Sequence, residues 1–277
     1  QVGTETSPCL VFFTPEGTKA EFSISKVNVK GIKCISCKAG SDKIRWLINC
    51  GDNSEFTIAR KSGGEIKILV VSKETALKSW SVNIRGDKYI AFSEALLLDN
   101  EGGLEFLSSS KSTFNLSIFP RVKGTPGINR GIIKPIPGKE TFMSNYIIEL
   151  PQYKFDFQIE HFGERKFRLS YPSVLPEGIN DVFLTINYTG DTGMCFMNEE
   201  LIDDHFYYGQ PWVIGLKKFF DIQQHQMIFY FRPMYKNAPF IVDLDKRCIP
   251  DFGNNQSYLK VNEVNAITEY TGLIDFK

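Results

Sequence analysis

Apolar residues recur at every second position along much of this chain. In Tyr153-Lys-Phe-Asp-Phe-Gln-Ile159 the odd positions carry Tyr153, Phe155, Phe157 and Ile159, and the even ones Lys154, Asp156 and Gln158. Phe114–Ile118, Phe167–Tyr171 and Val182–Tyr188 repeat the pattern. Side chains alternate across a strand, so each stretch predicts a half-buried antiparallel strand with one face toward solvent. Turn-forming groups lie between the stretches: Pro15-Glu-Gly17, Gly63-Gly64, Asp99-Asn-Glu-Gly-Gly103 and Pro176-Glu-Gly178. A helical reading fits one short segment, Lys73–Trp80, with Ser72 as its N-cap and Glu74 in its first turn. Many short strands with frequent turns predict an all-β protein of sandwiches or jelly rolls.

One segment breaks the pattern. From Pro120 to Glu140 the chain holds Pro120, Pro126, Pro135 and Pro137, and Gly124, Gly127, Gly131 and Gly138. Proline removes ladder donors and glycine weakens strands, so this stretch is expected to be a linker or crossing loop. The expected organisation is an N-terminal sandwich over 1–120, a linker over 121–140 and a second β domain over 141–277. No internal repeat of fixed period is found.

Composition narrows the function. Aromatic residues make up 13% of the chain, which suits strands and sugar- or core-facing rings alike. The 32 Lys and Arg balance 32 Asp and Glu, which argues against a nucleic-acid binder and a polybasic membrane-surface protein. Apolar runs such as Ile66–Val71 are strand-length, far short of the roughly 20 residues of a membrane span. Gln1-Val-Gly-Thr-Glu-Thr6 shows neither a basic start nor an apolar h-region of a signal peptide.

Catalytic and metal motifs are sparse. Cys34-Ile-Ser-Cys37 has the spacing of half a zinc site, but no second pair completes it. The six cysteines, Cys9, Cys34, Cys37, Cys50, Cys195 and Cys248, are expected to be buried thiols or to form one disulfide. His161, His205 and His225 share no ligand spacing. Neither a nucleophile elbow nor a Walker, Rossmann or zincin motif is found, and no cofactor is expected. Glu199-Glu200 and Asp203-Asp204 are dense, but neighbours on a strand face opposite ways and do not make an acid–nucleophile pair. The sequons at Asn115, Asn187 and Asn255 matter only in a glycosylating host.

The most informative stretch runs from Asn187 to Leu216. It reads as strand, tight turn, strand and then an aromatic loop with Tyr207, Tyr208 and Trp212 around Gly209 and Pro211. Sugars stack their apolar faces on flat rings while Asp or Asn holds the hydroxyls, and this loop has both. The opposing reading makes Trp212 and Phe206 a plug at the end of the sandwich.

The runs Asp181-Val-Phe-Leu-Thr-Ile-Asn-Tyr-Thr-Gly-Asp191, Asp204-His-Phe-Tyr-Tyr-Gly-Gln-Pro-Trp-Val-Ile-Gly-Leu-Lys-Lys-Phe219 and Phe231-Arg-Pro-Met-Tyr-Lys-Asn-Ala-Pro-Phe240 resemble the C-terminal region of bacterial family 35 glycoside hydrolases, which are β-galactosidase-like. Val11–Gly17, Ala76–Trp80 and Phe114–Pro120 are similar to upstream parts in the same order, and Val213 departs from the family's usual Glu. Those enzymes carry their catalytic glutamates on a (β/α)₈ barrel, for which this chain has neither the length nor the pattern.

The resemblance therefore implies two β-sandwich domains, the second a galactose-binding-like jelly roll, in a non-catalytic carbohydrate-associated module. It implies a periplasmic, extracellular or cell-surface location and, as partner, a glycan (a galactose-containing polysaccharide or oligosaccharide) or a catalytic glycosidase domain. Stacking is expected from Trp212, Tyr207 and Tyr208, and hydroxyl contacts from Asp204 and Asn198. The alternatives are a docking domain without a ligand, or a glycosidase or lyase built on the sandwich with Glu160, Glu164, Asp191 and Asp204.

Overall fold

The computed structural model describes residues 2–3, 7–137, 141–220 and 226–276. Strand accounts for 58% of the chain and helix for 6%, so the all-β expectation holds. Among the described residues the single α-helix is shorter than expected, Lys73–Ala76, and Trp80 already belongs to strand Ser79–Ile84. Its cap is as expected: the Thr75 amide donates to the Ser72 hydroxyl at 3.1 Å.

The chain forms two compact units, Gln1–Ser108 with Ser112–Pro151 and Thr271–Lys277, and Ser109–Lys111 with Gln152–Tyr270. The Pro/Gly-rich stretch belongs to the first unit and contains strands Gly127–Ile128 and Ile132–Pro135. Ile132–Pro135 lies on a sheet edge, paired to Ser144–Glu149, and Pro135 is its last residue, where a missing donor costs little. Gly138 and Glu140 lie outside the described residues.

In the first unit, a five-stranded sheet has the order Val2–Gly3, Pro8–Thr14, Glu65–Ser72, Ser54–Arg60, Val29–Cys34. Both its faces are covered. Ile68, Val70, Phe56 and Ile58 pack with Ile48 and Cys50 of a three-stranded sheet formed by Ala20–Ser25, Arg45–Cys50 and Cys37–Ser41. Leu69 and Val71 point the other way, into a cluster with Phe92 and Phe119 of a second five-stranded sheet. Ile66–Val71 is nearly continuous in apolar residues because both of its faces are inside.

A strand buried on both faces has no wet side for a polar residue, yet Glu55 sits in one at 3% exposure. Its carboxylate accepts hydrogen bonds from the Thr141 hydroxyl and from the Phe142 amide, the latter at 2.8 Å. Those bonds offset a burial that would otherwise be costly.

The second unit is a sandwich. One sheet has the order Gln158–His161, Lys166–Ser170, Gln226–Phe231, Thr192–Met197, Glu200–Phe206. Opposite it, Ile179–Thr189 pairs with Lys260–Asp275 on one side and Trp212–Gly215 on the other. Phe167, Leu169, Met227, Phe229 and Cys195 from the first sheet meet Val182, Leu184, Ile186, Trp212 and Ile214 from the second. Rings dominate this core, with Phe167 stacked on Phe229 at 4.8 Å between centroids.

The expected strand at Tyr153–Ile159 is corrected. Ladder pairing begins only at Gln158, although Phe155 is buried and Lys154 and Asp156 are exposed as the alternation required. The segment is extended but lacks a strand partner at its start, where the Tyr153 amide donates to the Tyr270 hydroxyl at 3.1 Å.

Candidate functional site

The stretch that carried the sequence argument folds around Trp212. Its strand, Trp212–Gly215, lies beside Ile179–Thr189 with Trp212 opposite Ile186, so the ring points into the sandwich. Trp212 is 2% exposed. The His205 ring is stacked on it at 13° and 6.0 Å, and Phe229 meets it edge-on at 5.5 Å. Its indole N–H donates to Asp203 Oδ2 at 3.3 Å. Gly193 is required here, since a Cβ would come within 2.8 Å of the indole. Trp212 is therefore a core residue that offers no ring face to a ligand, whereas Phe206, which the plug reading placed with it, is largely exposed.

Beside it lies a buried polar knot. The Tyr188 hydroxyl donates to the His205 carbonyl at 2.8 Å and accepts from the Gly193 amide at 3.1 Å. Its one proton is thus used, and His205 Nδ1, 3.0 Å away, donates to the same oxygen. That tautomer leaves Nε2 as a bare acceptor, buried and without a partner. Burial pushes the His205 pKa down from 6.5, against the opposing pull of Asp203 and Asp204. Burial likewise pushes the Tyr188 hydroxyl up, out of any working range.

The remaining expected residues separate. Tyr207 is half-buried, its hydroxyl donating to the Cys248 carbonyl at 3.1 Å. Gly209 between them has φ +89°, and a Cβ there would lie 2.1 Å from Cys248 Sγ, so the loop closes onto that thiol only with glycine. Tyr208 is 59% exposed and packs against His205 at 5.4 Å. Asn198 takes the turn between Thr192–Met197 and Glu200–Phe206, where it and Glu199 have φ 51° and 69°. Two consecutive left-handed residues make a tight hairpin turn, which is what Asn198 is for. Asp204 lies four residues beyond Glu200, the first strand residue after that turn, roughly 13 Å along the strand. Asn198 and Asp204 do not share a site.

Sequence reasoning overlooked a different surface. Because Phe167, Phe229 and Cys195 face the core, their neighbours face outward. Register then sets two rows across the five strands. One runs Glu160, Arg168, Ile228, Phe196, Leu201, and the other Lys166, Tyr230, Met194, Asp204. Phe162 continues the second row, its amide bonded to the Lys166 carbonyl at 2.8 Å. Lys166 Nζ and the Arg168 guanidinium lie 5.9 and 5.5 Å from the Phe162 ring centroid. Phe206 stands two residues beyond Asp204 on this face, 69% exposed, and Leu201 is 53% exposed. The signal was present in the alternation of each strand, but only the register assembles it.

Glu160 and Asp204, two of the carboxylates considered for a glycosidase, do not converge. Glu160 forms an ion pair with Arg168, and four strand spacings, about 19 Å, separate its strand from that of Asp204. Paired glycosidase carboxyls need roughly 5–9.5 Å. Asp191 lies 3.8 Å from Arg232, and Glu164 is exposed in the bend after His161. The carboxyls with displaced pKa, Asp42 and Asp245, move down: backbone amides of Ile44 and Arg45 donate to the first, and Arg247 to the second.

Among the described residues, no group of three or more His, Cys, Asp or Glu is placed to hold a metal, and no helix is long and apolar enough to cross a membrane. His161 is exposed and packs against Phe167 at 5.8 Å, while His225 lies outside the described residues. Cys34 and Cys37 form a disulfide, and Cys9, Cys50, Cys195 and Cys248 are free. No protein-family model matches the chain, and no curated protein matches it.

Proposed function

We propose that the chain is a non-catalytic, carbohydrate-associated module, and that its glycan-contacting surface is the outer face of the five-stranded sheet in the second unit. The observation that carries this reading is Phe206: a large exposed ring beside Asp204, on a face continued by half-buried Tyr230 and Phe196. Exposed rings supply flat apolar area for a sugar's C–H face, and the neighbouring Asp204, with Lys166 three strands away on the same face, supplies hydrogen-bonding groups. Tyr208, exposed in the bend two residues past the end of strand Glu200–Phe206, extends the ring set. Trp212, Tyr207 and Asn198 act as scaffold in this reading. The Cys34–Cys37 disulfide is compatible with export to the periplasm or cell surface, where disulfides persist.

The test is affinity electrophoresis through gels containing galactose-, xylose- or glucose-based polysaccharides. The wild type should be retarded by at least one, and Phe206→Ala should lose most of that retardation while keeping its thermal midpoint. Unchanged mobility in every gel would overturn the reading. It would favour instead a docking face, for which the exposed Leu201 and the adjacent Met194 and Ile228 provide apolar area.

A further inference from the structure

Three of the six cysteines gather at one corner of the first unit. Strand Val29–Cys34 is the edge of the five-stranded sheet, and Cys37–Ser41 is the edge of the three-stranded sheet packed against it. The chain passes from one to the other through Ile35 and Ser36 alone, and the Cys34–Cys37 disulfide closes that corner. The corner is also held by backbone. Ile35 N–H donates to the Glu55 carbonyl at 2.9 Å, the Glu55 amide to the Ser36 hydroxyl at 2.9 Å, and the Ser54 hydroxyl to the Ser36 carbonyl at 2.9 Å.

Cys50 is the third member. It is the direct cross-strand partner of Cys37, and opposed residues of an antiparallel pair point to the same face. All three sulfurs belong to the same cluster, Cys50 fully inside it and Cys34 and Cys37 partly buried against it. Opposed Cα atoms in an antiparallel pair lie about 4.5 or 5.5 Å apart, and both values fall within the roughly 4.4–6.8 Å that a disulfide spans.

We propose that Cys34, Cys37 and Cys50 form a thiol–disulfide exchange site in which the bond moves from Cys34–Cys37 to Cys37–Cys50. The Cys50 thiolate attacks Cys37 Sγ, a Cys37–Cys50 bond forms, the Cys34–Cys37 bond breaks, and Cys34 leaves as a thiolate that takes up the proton Cys50 released. No oxidant or reductant is consumed and the number of free thiols is unchanged. The target sulfur is Cys37 because Cys37 shares a sheet with Cys50, whereas Cys34 lies on the other sheet.

The exchange converts a staple between two sheets into one within a single sheet. The corner then depends on its hydrogen bonds alone, and Cys34 becomes a free thiol able to take a thiol- or disulfide-bearing molecule. Closed, the corner resists this: burial holds Cys50 as the unreactive protonated thiol. Opening of the two edge strands starts it.

The wild-type protein should be incubated without reductant in sub-denaturing urea, quenched in acid and its disulfides mapped by mass spectrometry. The expected result is a Cys37–Cys50 linked peptide and an alkylatable Cys34 appearing together, with total free thiol constant; Cys50→Ser should show neither. A bond that stays entirely Cys34–Cys37 while the edge strands exchange amide hydrogens would overturn the proposal. In Cys34→Ser, oxidised glutathione should drive Cys37 and Cys50 into an intramolecular disulfide. A stable glutathione adduct on Cys37 beside an unmodified Cys50 in the folded variant would contradict it.

Discussion

Two sheets of this molecule, each of five strands, carry opposite sequence patterns. The one through Ser54–Arg60 in the first unit is covered on both faces at its centre, and its strand Glu65–Ser72 carries the near-continuous apolar run Ile66–Val71. The one through Gln226–Phe231 in the second unit is covered on one face, and its strands alternate. The difference decides where chemistry can reside. On the doubly covered sheet, the polar group Glu55 is consumed by local hydrogen bonds from Thr141 and Phe142 and serves the fold. On the singly covered sheet, one set of side chains remains available, and there Asp204, Lys166 and Phe206 meet solvent. Alternate residues of one strand thereby differ in what they meet: Asp203 and His205 hold Trp212, while Asp204 and Phe206 face away, and the proposed recognition role falls on the second set.

The sharpest way to break that assignment is at Trp212. Trp212→Ala empties a site lined by His205, Phe229 and Phe231 and should cost about 3–5 kcal/mol, read as a lower urea midpoint. A variant of unchanged stability would mean the ring is not a core element. Next is Glu55→Ala, which strands the Thr141 hydroxyl and Phe142 amide and should cost about 1–3 kcal/mol. Glu55→Gln keeps an acceptor and should recover part of it.

The buried knot adds a pH dependence. His205 has a folded-state pKa below its ordinary 6.5, so the unfolded chain takes up its proton first as pH falls. The stability that depends on neutral His205 is present above about 6.5 and lost as pH drops through the lower folded value. Urea midpoints at pH 7.5 and 5 should differ more in the wild type than in His205→Gln. An equal difference would remove His205 as the cause. The smallest stability effect is at Phe206, where Phe206→Ala on the exposed edge strand should stay within about 0.5 kcal/mol.

Strand class was legible because alternation is a local signal: Phe114–Ile118 and Val182–Tyr188 fall within strands, and Phe167–Tyr171 does so up to Ser170. The Pro/Gly-rich stretch misled because an edge strand tolerates proline at its end, and edges are set by partners distant in sequence. Trp212 was ambiguous for a similar reason. An aromatic loop looks alike whether its rings face in or out, and the direction came from the pairing of Trp212 with Ile186. The outer face could not be read at all without register, since its rows join Lys166, Tyr230, Met194 and Asp204 from four separate strands. The corner thiols were half legible: Cys34-x-x-Cys37 was noticed, but the place of Cys50 beside it follows from a hairpin register.

The central claim is that recognition and stability lie on opposite faces of one sheet. It is tested most directly by gel retardation of the Phe206→Ala, Tyr230→Ala double variant in whichever polysaccharide retards the wild type, beside Trp212→Phe as a core control. The account predicts that the double variant runs as in a glycan-free gel while Trp212→Phe remains retarded. Retention of binding by the double variant, or its loss in a folded Trp212→Phe, would contradict it.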